Sequence, residues 1–319
     1  MDLSRDEWEL VAEQLHGADR GSWLGVLRAV CRAARDGVQR AEDAGEGRGR
    51  LDPRVFSSSV ELVTWALEQG CPNVDHWRVM AAVVEGGRLG VLKWAAEARG
   101  WELQDDVFCE WAAHGGQLEV LRWLREQGCP WDQDTCSIAA MGGHLSVLQW
   151  AREQSCPWDE DTCAEAAQGG HLELLQWARQ QGCPWNDDTC LAAAQHGHLE
   201  VLQWAREQGC PWDEETCAAA AGDGHLELLQ WARDQGCPWN EDTCFQAARN
   251  GYLELLQWAR NQGCPWDERT CCQLARNGYL EMLQWAREQG CPWDRNSCLD
   301  AANQSGHGVV VAGWILQSM

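Results

Sequence analysis

The residues of this chain with the most chemistry to offer are its thiols and imidazoles. It holds 18 cysteines and 9 histidines in 319 residues, and most of them fall on one strict spacing. Cys156 and Cys163 stand seven apart, as do Cys183 and Cys190, Cys210 and Cys217, Cys237 and Cys244, and Cys264 and Cys271. Thiolates brought together in fours hold structural zinc, and thiol pairs can cycle with a disulfide. Zinc pairs, however, are usually separated by about two to four residues. His144, His171, His198 and His225 recur beside the cysteines, but Tyr252 and Tyr279 take that place in two copies, which a ladder of metal ligands would not tolerate well. The plainer expectation is reduced, metal-free thiols acting as small buried core residues. A redox- or metal-responsive cysteine array is the alternative. No cofactor is implied.

Catalysis needs a unique pocket whose groups take different roles. Here His, Asp and Glu recur with the same period as everything else, and no phosphate-binding loop, GxSxG or kinase signature is present. The expectation is a protein that is not an enzyme.

The elements that position these groups follow from the period. Residues 156–182 read CPWDEDTCAEAAQGGHLELLQWARQQG, and nearly the same block returns at Cys183, Cys210, Cys237 and Cys264, with Cys129–Ser155 fitting before it. A fixed period of this kind signals an array of supersecondary units. Within one block, Thr162 reads as an N-cap and Glu165 as its capping-box partner, as in Thr243/Gln246 and Thr270/Gln273. A short first helix should end at Gly169-Gly170. A second, amphipathic helix should run from about His171 to Gln181, with Leu172, Leu174, Leu175, Trp177 and Ala178 on its apolar face. Gly182 stops it and Pro184 prevents its continuation. One helix–turn–helix–loop unit cannot bury its own apolar face, but stacked copies can. Stacking places Trp150, Trp177, Trp204, Trp231, Trp258 and Trp285 in one ladder, and Trp131, Trp158, Trp185, Trp212, Trp239, Trp266 and Trp293 in another. Packing between repeats is the expected role; exposed aromatic platforms are the alternative.

The pattern DxxTCxxAAxxGHLExLQWxxxxG, carried by Asp159, Thr162, Ala166-Ala167, Gly170-His171-Leu172-Glu173, Leu174-Leu175 and Gly182, resembles the ankyrin repeat. Cys163 stands where that family has proline, and the blocks are shortened where it carries its β-hairpin finger. The resemblance implies an all-α fold: an α-solenoid of stacked helix-turn-helix ankyrin-like repeats without the hairpin, over residues 56–319, its terminal repeats degraded. It also implies a protein-protein interaction scaffold with the first helices lining the concave side.

Residues 1–43 are outside the period and read as a small helical segment. Leu3, Trp8, Val11, Leu15, Val30-Cys31-Arg32 and Arg35 resemble an F-box, with Ser4 and Ala34 departing from it. A true F-box would make the chain a substrate adaptor of a cullin-type ubiquitin ligase, partnered by the ligase's linker subunit. A cap over the open end of the array is the other reading, and the two stay open. Residues 44–55 read as a linker.

Residues 1–55 hold 9 basic and 11 acidic side chains, and the remainder hold 16 and 38. So acidic an array does not release counterions from nucleic acid, nor favour an anionic membrane surface. A partner steered by charge would be basic. No apolar run is long enough to span a bilayer and no signal peptide opens the chain, so a cytoplasmic or nuclear location is expected. Binding residues should lie where the repeats differ. Those positions fall two, six and seven residues after the first-helix Thr: Ala164, Gln168 and Gly169; Leu191, Gln195 and His196; Ala218, Gly222 and Asp223; Phe245, Arg249 and Asn250; Cys272, Arg276 and Asn277. The candidate contacts are Gln168, Gln195, His196, Asp223, Phe245, Arg249, Asn250, Arg276 and Asn277.

Overall fold

The computed structural model describes residues 60, 63–64, 76–304 and 308–318. The F-box-like segment 1–43 and the linker 44–55 lie outside the described residues. Among those described, every regular element is an α-helix and no strand occurs. The chain divides into two compact units, 1–130 and 131–319.

In the first unit, α1 (His76–Glu85) pairs with α2 (Leu89–Arg99) and α3 (Val107–His114) with α4 (Leu118–Glu126); α1 also packs on α3. Trp77, Phe108 and Trp111 form a cluster with ring centroids 5.4–5.6 Å apart, Trp111 meeting the other two edge-on.

In the second unit the helices come in seven pairs: α5 (Gln133–Met141) with α6 (Leu145–Glu153), α7 (Glu160–Gln168) with α8 (Leu172–Gln180), α9 (Asp187–Gln195) with α10 (Leu199–Glu207), α11 (Glu214–Gly222) with α12 (Leu226–Asp234), α13 (Glu241–Asn250) with α14 (Leu253–Asn261), α15 (Glu268–Asn277) with α16 (Leu280–Glu288), and α17 (Arg295–Gln304) with α18 (Gly308–Gln317). The odd-numbered first helices stack directly on one another, and each second helix packs on the first helix of its own repeat. Small side chains permit that approach: Ala166, Ala167, Ala193, Ala194, Ala220, Ala221, Ala247 and Ala248 are fully buried. Leu175, Leu202, Leu229 and Leu256 seal the second helices onto them. This is an α-solenoid of stacked helix pairs.

Both helices of a repeat close in the same way. Gly170 (φ +73°) receives its place from two backbone bonds, Gly170 N–H to the Ala167 carbonyl and His171 N–H to the Ala166 carbonyl, the paired closure of a helix ending in a left-handed residue. Gly182 and Cys183 repeat it at the end of α8. Ser155 occupies that left-handed position at φ +64°, where its counterparts are glycine.

The helix starts differ from the sequence expectation. The N-cap is Asp132, Asn186, Asp213, Asn240 or Asp267, each accepting from the amide two residues on. Thr162 and its equivalents lie inside the first turn, fully buried. The Thr162 hydroxyl has no partner except the Cys183 thiol facing it, and Thr189 and Thr243 likewise face Cys210 and Cys264. Asp or Asn three residues before Thr is as good a cap as Thr is, and the helix starts there, which leaves the threonine buried one turn in.

The charge follows the helix ends. Acidic residues such as Glu160-Asp161 and Glu214-Glu215 fill the first turns of first helices, and Arg179, Arg206 and Arg233 stand in the last turns of second helices, complementing the helix dipoles.

Candidate functional site

Three sets of side chains recur along the second unit: the thiols, the Trp–Arg stacks, and the variable ends of the first helices.

The thiols pair across repeats, twenty residues apart, rather than within the seven-residue spacing. Cys163 meets Cys183, Cys190 meets Cys210, Cys217 meets Cys237, Cys244 meets Cys264 and Cys271 meets Cys291. In the first unit the Sγ atoms of Cys109 and Cys129 are 3.6 Å apart. The later cysteine of each pair donates to the carbonyl of the preceding first-helix cap: Cys156 to Asp132 at 3.3 Å, Cys183 to Asp159 at 3.4 Å, Cys210 to Asn186 at 3.3 Å. These thiols therefore satisfy a buried carbonyl between repeats. The hydrogen bond to the partner sulfur, then burial, pushes Cys109, Cys190, Cys244 and Cys271 far above the ordinary thiol range. The same bond holds the partner thiols Cys129, Cys210 and Cys264 down, but every one of these cysteines is fully buried, so the pairs act as core residues.

The tryptophans do not form two independent ladders. Each linker Trp meets the second-helix Trp of its own repeat edge-on: Trp158 with Trp177 at 6.0 Å, Trp185 with Trp204 at 5.9 Å, Trp212 with Trp231 at 6.0 Å. The preceding repeat covers the linker ring with an arginine, Arg152 over Trp158 at 4.1 Å and Arg206 over Trp212 at 4.0 Å. The same arginines donate to the carbonyls of Cys156 and Cys210, closing the preceding helix. All these indoles are half-buried. They line repeated notches. One, of about 490 Å³, is bounded by Gln176, Arg179, Gln180, Trp185, Trp204 and Gln208. Another, of about 520 Å³, has the equivalent residues one repeat earlier, Gln149, Arg152, Glu153, Trp158, Trp177 and Gln181. A larger concavity in the first unit, about 890 Å³, is lined by Trp77, Arg99, Trp101, Glu102, Gln104 and Asp105.

The candidate first-helix residues lie at or near the ends of α7, α9, α11, α13 and α15, except Phe245, which stands mid-helix one turn before Arg249. Gln195, His196, Asp223, Arg249, Asn250 and Arg276 are exposed, and Gln168, Phe245 and Asn277 are half-buried. The stacking of first helices places equivalent positions in one row from repeat to repeat.

Two of them have structural bonds as well. In the histidine repeats, His171, His198 and His225 bond through Nε2 to the carbonyls of Met141, Gln168 and Gln195 at 2.9–3.0 Å. Tyrosine replaces that histidine at 252 and 279, and there the Asn250 and Asn277 amides donate instead to the carbonyls of Gly222 and Arg249. These carbonyls are the same position, one repeat apart. Each asparagine thus does the work of the missing imidazole while remaining on the variable edge.

Phe245 sits under the Arg269 guanidinium of the next repeat, 5.3 Å from its ring centroid. Arg269 also pairs with Asp242 at 2.9 Å and Asp267 at 2.6 Å. Sequence reasoning missed Arg269. The signal was present, since arginine there replaces an acid found at Asp161, Asp188, Glu215 and Asp242. His196 stacks on His198 at 6.4 Å and lies near Glu165, whose carboxyl burial and Asp161 raise against the opposing His196.

No family model matches the chain, and no curated protein matches it. Among solved structures it is similar to the ankyrin repeat domain of human ASB11, at 15% identity over 49% of this chain and 84% of that one, with a TM-score of 0.41. A likeness at that level carries no argument about what this chain binds. No described helix is long and apolar enough to cross a membrane.

Proposed function

We propose that the chain is a protein-interaction scaffold whose ligand lies along the row of first-helix ends from Gln168 to Asn277. The observation that carries this reading is the coincidence of exposure and variation. Gln195, His196, Asp223, Arg249, Asn250 and Arg276 are exposed on stacked helices and differ between otherwise near-identical repeats. Phe245, Arg249 and Arg276 supply the aromatic and arginine side chains most enriched at binding hot spots. The acidic first turns favour approach of a basic protein partner, through the on-rate more than the final affinity. The F-box-like residues 1–43 would make the array the target-selecting part of a ubiquitin-ligase adaptor, a reading that rests on the sequence resemblance.

A second reading has its own observation. The Trp–Arg–Gln notches recur on the second-helix side, and their half-buried indoles could seat side chains of an extended ligand. A photo-crosslinking amino acid separates the two. Placed in the full chain at Arg249 or Arg276, it should capture the partner; placed at the exposed second-helix residue Glu254, it should not. Capture only from Glu254 would transfer the site to the notched face.

A further inference from the structure

We propose that Cys272 and Cys298 form an oxidation site, at which hydrogen peroxide converts two thiols on successive first helices into an inter-repeat disulfide. Cys272 is outside the pattern of paired cysteines. It occupies the position held by Ala164, Leu191, Ala218 and Phe245 in other repeats. Of the sixteen described cysteines it is the one whose side chain is not buried. Its Sγ lies 3.2 Å from Cys298 Sγ, whereas Cys298 itself is fully buried. The neighbouring Cys271 is engaged separately, with Cys291, whose thiol bonds to the Asp267 carbonyl. The Cys272–Cys298 contact therefore joins an accessible sulfur to a sheltered one, the arrangement of an attacking thiol with its resolving partner.

Exposure is what sets Cys272 apart, since Cys129, Cys210 and Cys264 are held low by the same kind of bond but are buried. The hydrogen bond with Cys298, aided by Arg276 one turn on, holds the Cys272 thiol below its ordinary value, against desolvation and the carboxylates of Asp294 and Glu268. Cys298 is pushed the other way, by that same bond and by burial. The Cys272 thiolate attacks one peroxide oxygen and the O–O bond breaks. Sulfur becomes a sulfenic acid, and the released hydroxide takes up a proton as water. Cys298 sulfur then attacks Cys272 sulfur, the S–S bond forms as the S–O bond breaks, and the oxygen leaves as water with the Cys298 proton. Two thiols give up two electrons and peroxide accepts them. From 3.2 Å, the sulfurs need to close by roughly 1.2 Å to reach a bond of about 2.05 Å. Arg276 and Asn277 stand on the same helix, so the bond would form beside the proposed binding row, although the oxidation chemistry does not depend on that row binding anything.

The test uses the full chain, reduced, desalted and treated with equimolar hydrogen peroxide, then alkylated under denaturing conditions and digested with trypsin. Cys271 and Cys272 share the tryptic peptide 270–276, Cys291 lies on 288–295 and Cys298 on 296–319. The expected product joins 270–276 to 296–319 and disappears in Cys272→Ser. In Cys298→Ser, Cys272 should instead accumulate as a sulfenic acid trapped by dimedone. Should Cys298→Ser fail to fold, the unaltered native chain gives a second readout. Iodoacetamide should label Cys272 about tenfold faster than any other cysteine between residues 109 and 298. A link from 270–276 to 288–295, no link to 296–319, or native labelling of Cys272 no faster than of its neighbours would overturn the proposal.

Discussion

The exchange of histidine for asparagine between repeats makes a quantitative prediction. Asn250 donates its amide to the Gly222 carbonyl, the position that His225 serves one repeat earlier by bonding to the Gln195 carbonyl at 3.0 Å. Asn250→Ala removes the bond and leaves that carbonyl to water. A net hydrogen bond is worth about 0.5–1.5 kcal/mol. Asn250 is exposed, so water recovers part of the loss, and a cost of about 1 kcal/mol is expected. For a cooperative unit of this size that is a fall of about 2–4 °C in melting temperature. Tyr252→His should restore what Asn250→Ala removes. Tyr252 is 37% exposed and its ring lies against Gly224, as the His225 ring lies against Gly197, so an imidazole fits the same place and brings Nε2 to the carbonyl. Alone, Tyr252→His should stay within about 0.5 kcal/mol of the starting protein, because the carbonyl is already bonded. Urea and thermal unfolding of the four proteins in this double-mutant cycle give a coupling of about 1 kcal/mol if the reasoning holds. An equal cost of Asn250→Ala in both backgrounds would refute it.

Trp204→Ala should cost about 2 kcal/mol, below the roughly 3–5 kcal/mol of a fully buried tryptophan, because Trp204 is half-buried and meets Trp185 edge-on at 5.9 Å; chemical denaturation measures it. Gly170→Ala and Gly182→Ala share a left-handed backbone but differ in surroundings. A Cβ at Gly170 would lie 2.6 Å from the His198 ring, and one at Gly182 meets nothing within 4 Å. Gly182→Ala should cost roughly 1 kcal/mol from backbone strain and Gly170→Ala roughly 2–3 kcal/mol by also displacing His198 from its carbonyl, a difference that melting curves resolve. Asp159 lacks the well-formed cap bond of its counterparts, has a buried oxygen without a partner, and has its carboxyl pushed up by burial and by the charge of Asp161, against the Asp161 amide. Asp159→Asn should gain about 0.5–1 kcal/mol near pH 7 by adopting the cap seen at Asn186 and Asn240. A raised carboxyl penalises the folded state above its folded pKa and not below its unfolded one, so the charge-derived part of that gain should vanish near pH 3.

Much of this architecture is written in the period itself. Gly170, Gly182 and Pro184 mark the helix ends, and the Leu174-Leu175 and Ala166-Ala167 pairs mark the buried faces that the structure seals. Local signals failed where a tertiary partner decided the outcome. Thr162 matches a capping box, but it lies buried inside the first turn, its hydroxyl toward a thiol twenty-one residues on, and Asp and Asn three residues earlier take the cap. The seven-residue cysteine spacing is real, but sulfur meets sulfur across repeats, because the linker of one repeat lies over the first helix of the one before. The asparagine exchange was legible in principle. Asn250 and Asn277 appear where Tyr252 and Tyr279 replace histidine, yet no sequence rule tells which carbonyl an amide will reach.

The central claim, a protein ligand on the first-helix row, is tested most directly by affinity in paired variants of the full chain. Once crosslinking has identified the partner, its dissociation constant is measured by calorimetry for Phe245→Ala with Arg249→Ala and, separately, for Glu254→Ala with Gln257→Ala on the second-helix side. The first pair should weaken binding by about 2 kcal/mol or more, roughly thirtyfold, and raise the dissociation rate, while the half-buried Phe245 ring limits the fall in melting temperature to a few degrees, about 2–4 °C per kcal/mol, so that the chain stays folded at the assay temperature. The second pair should leave affinity within about twofold. Full affinity in the first pair and lost affinity in the second would contradict the account and place the ligand against the tryptophan notches.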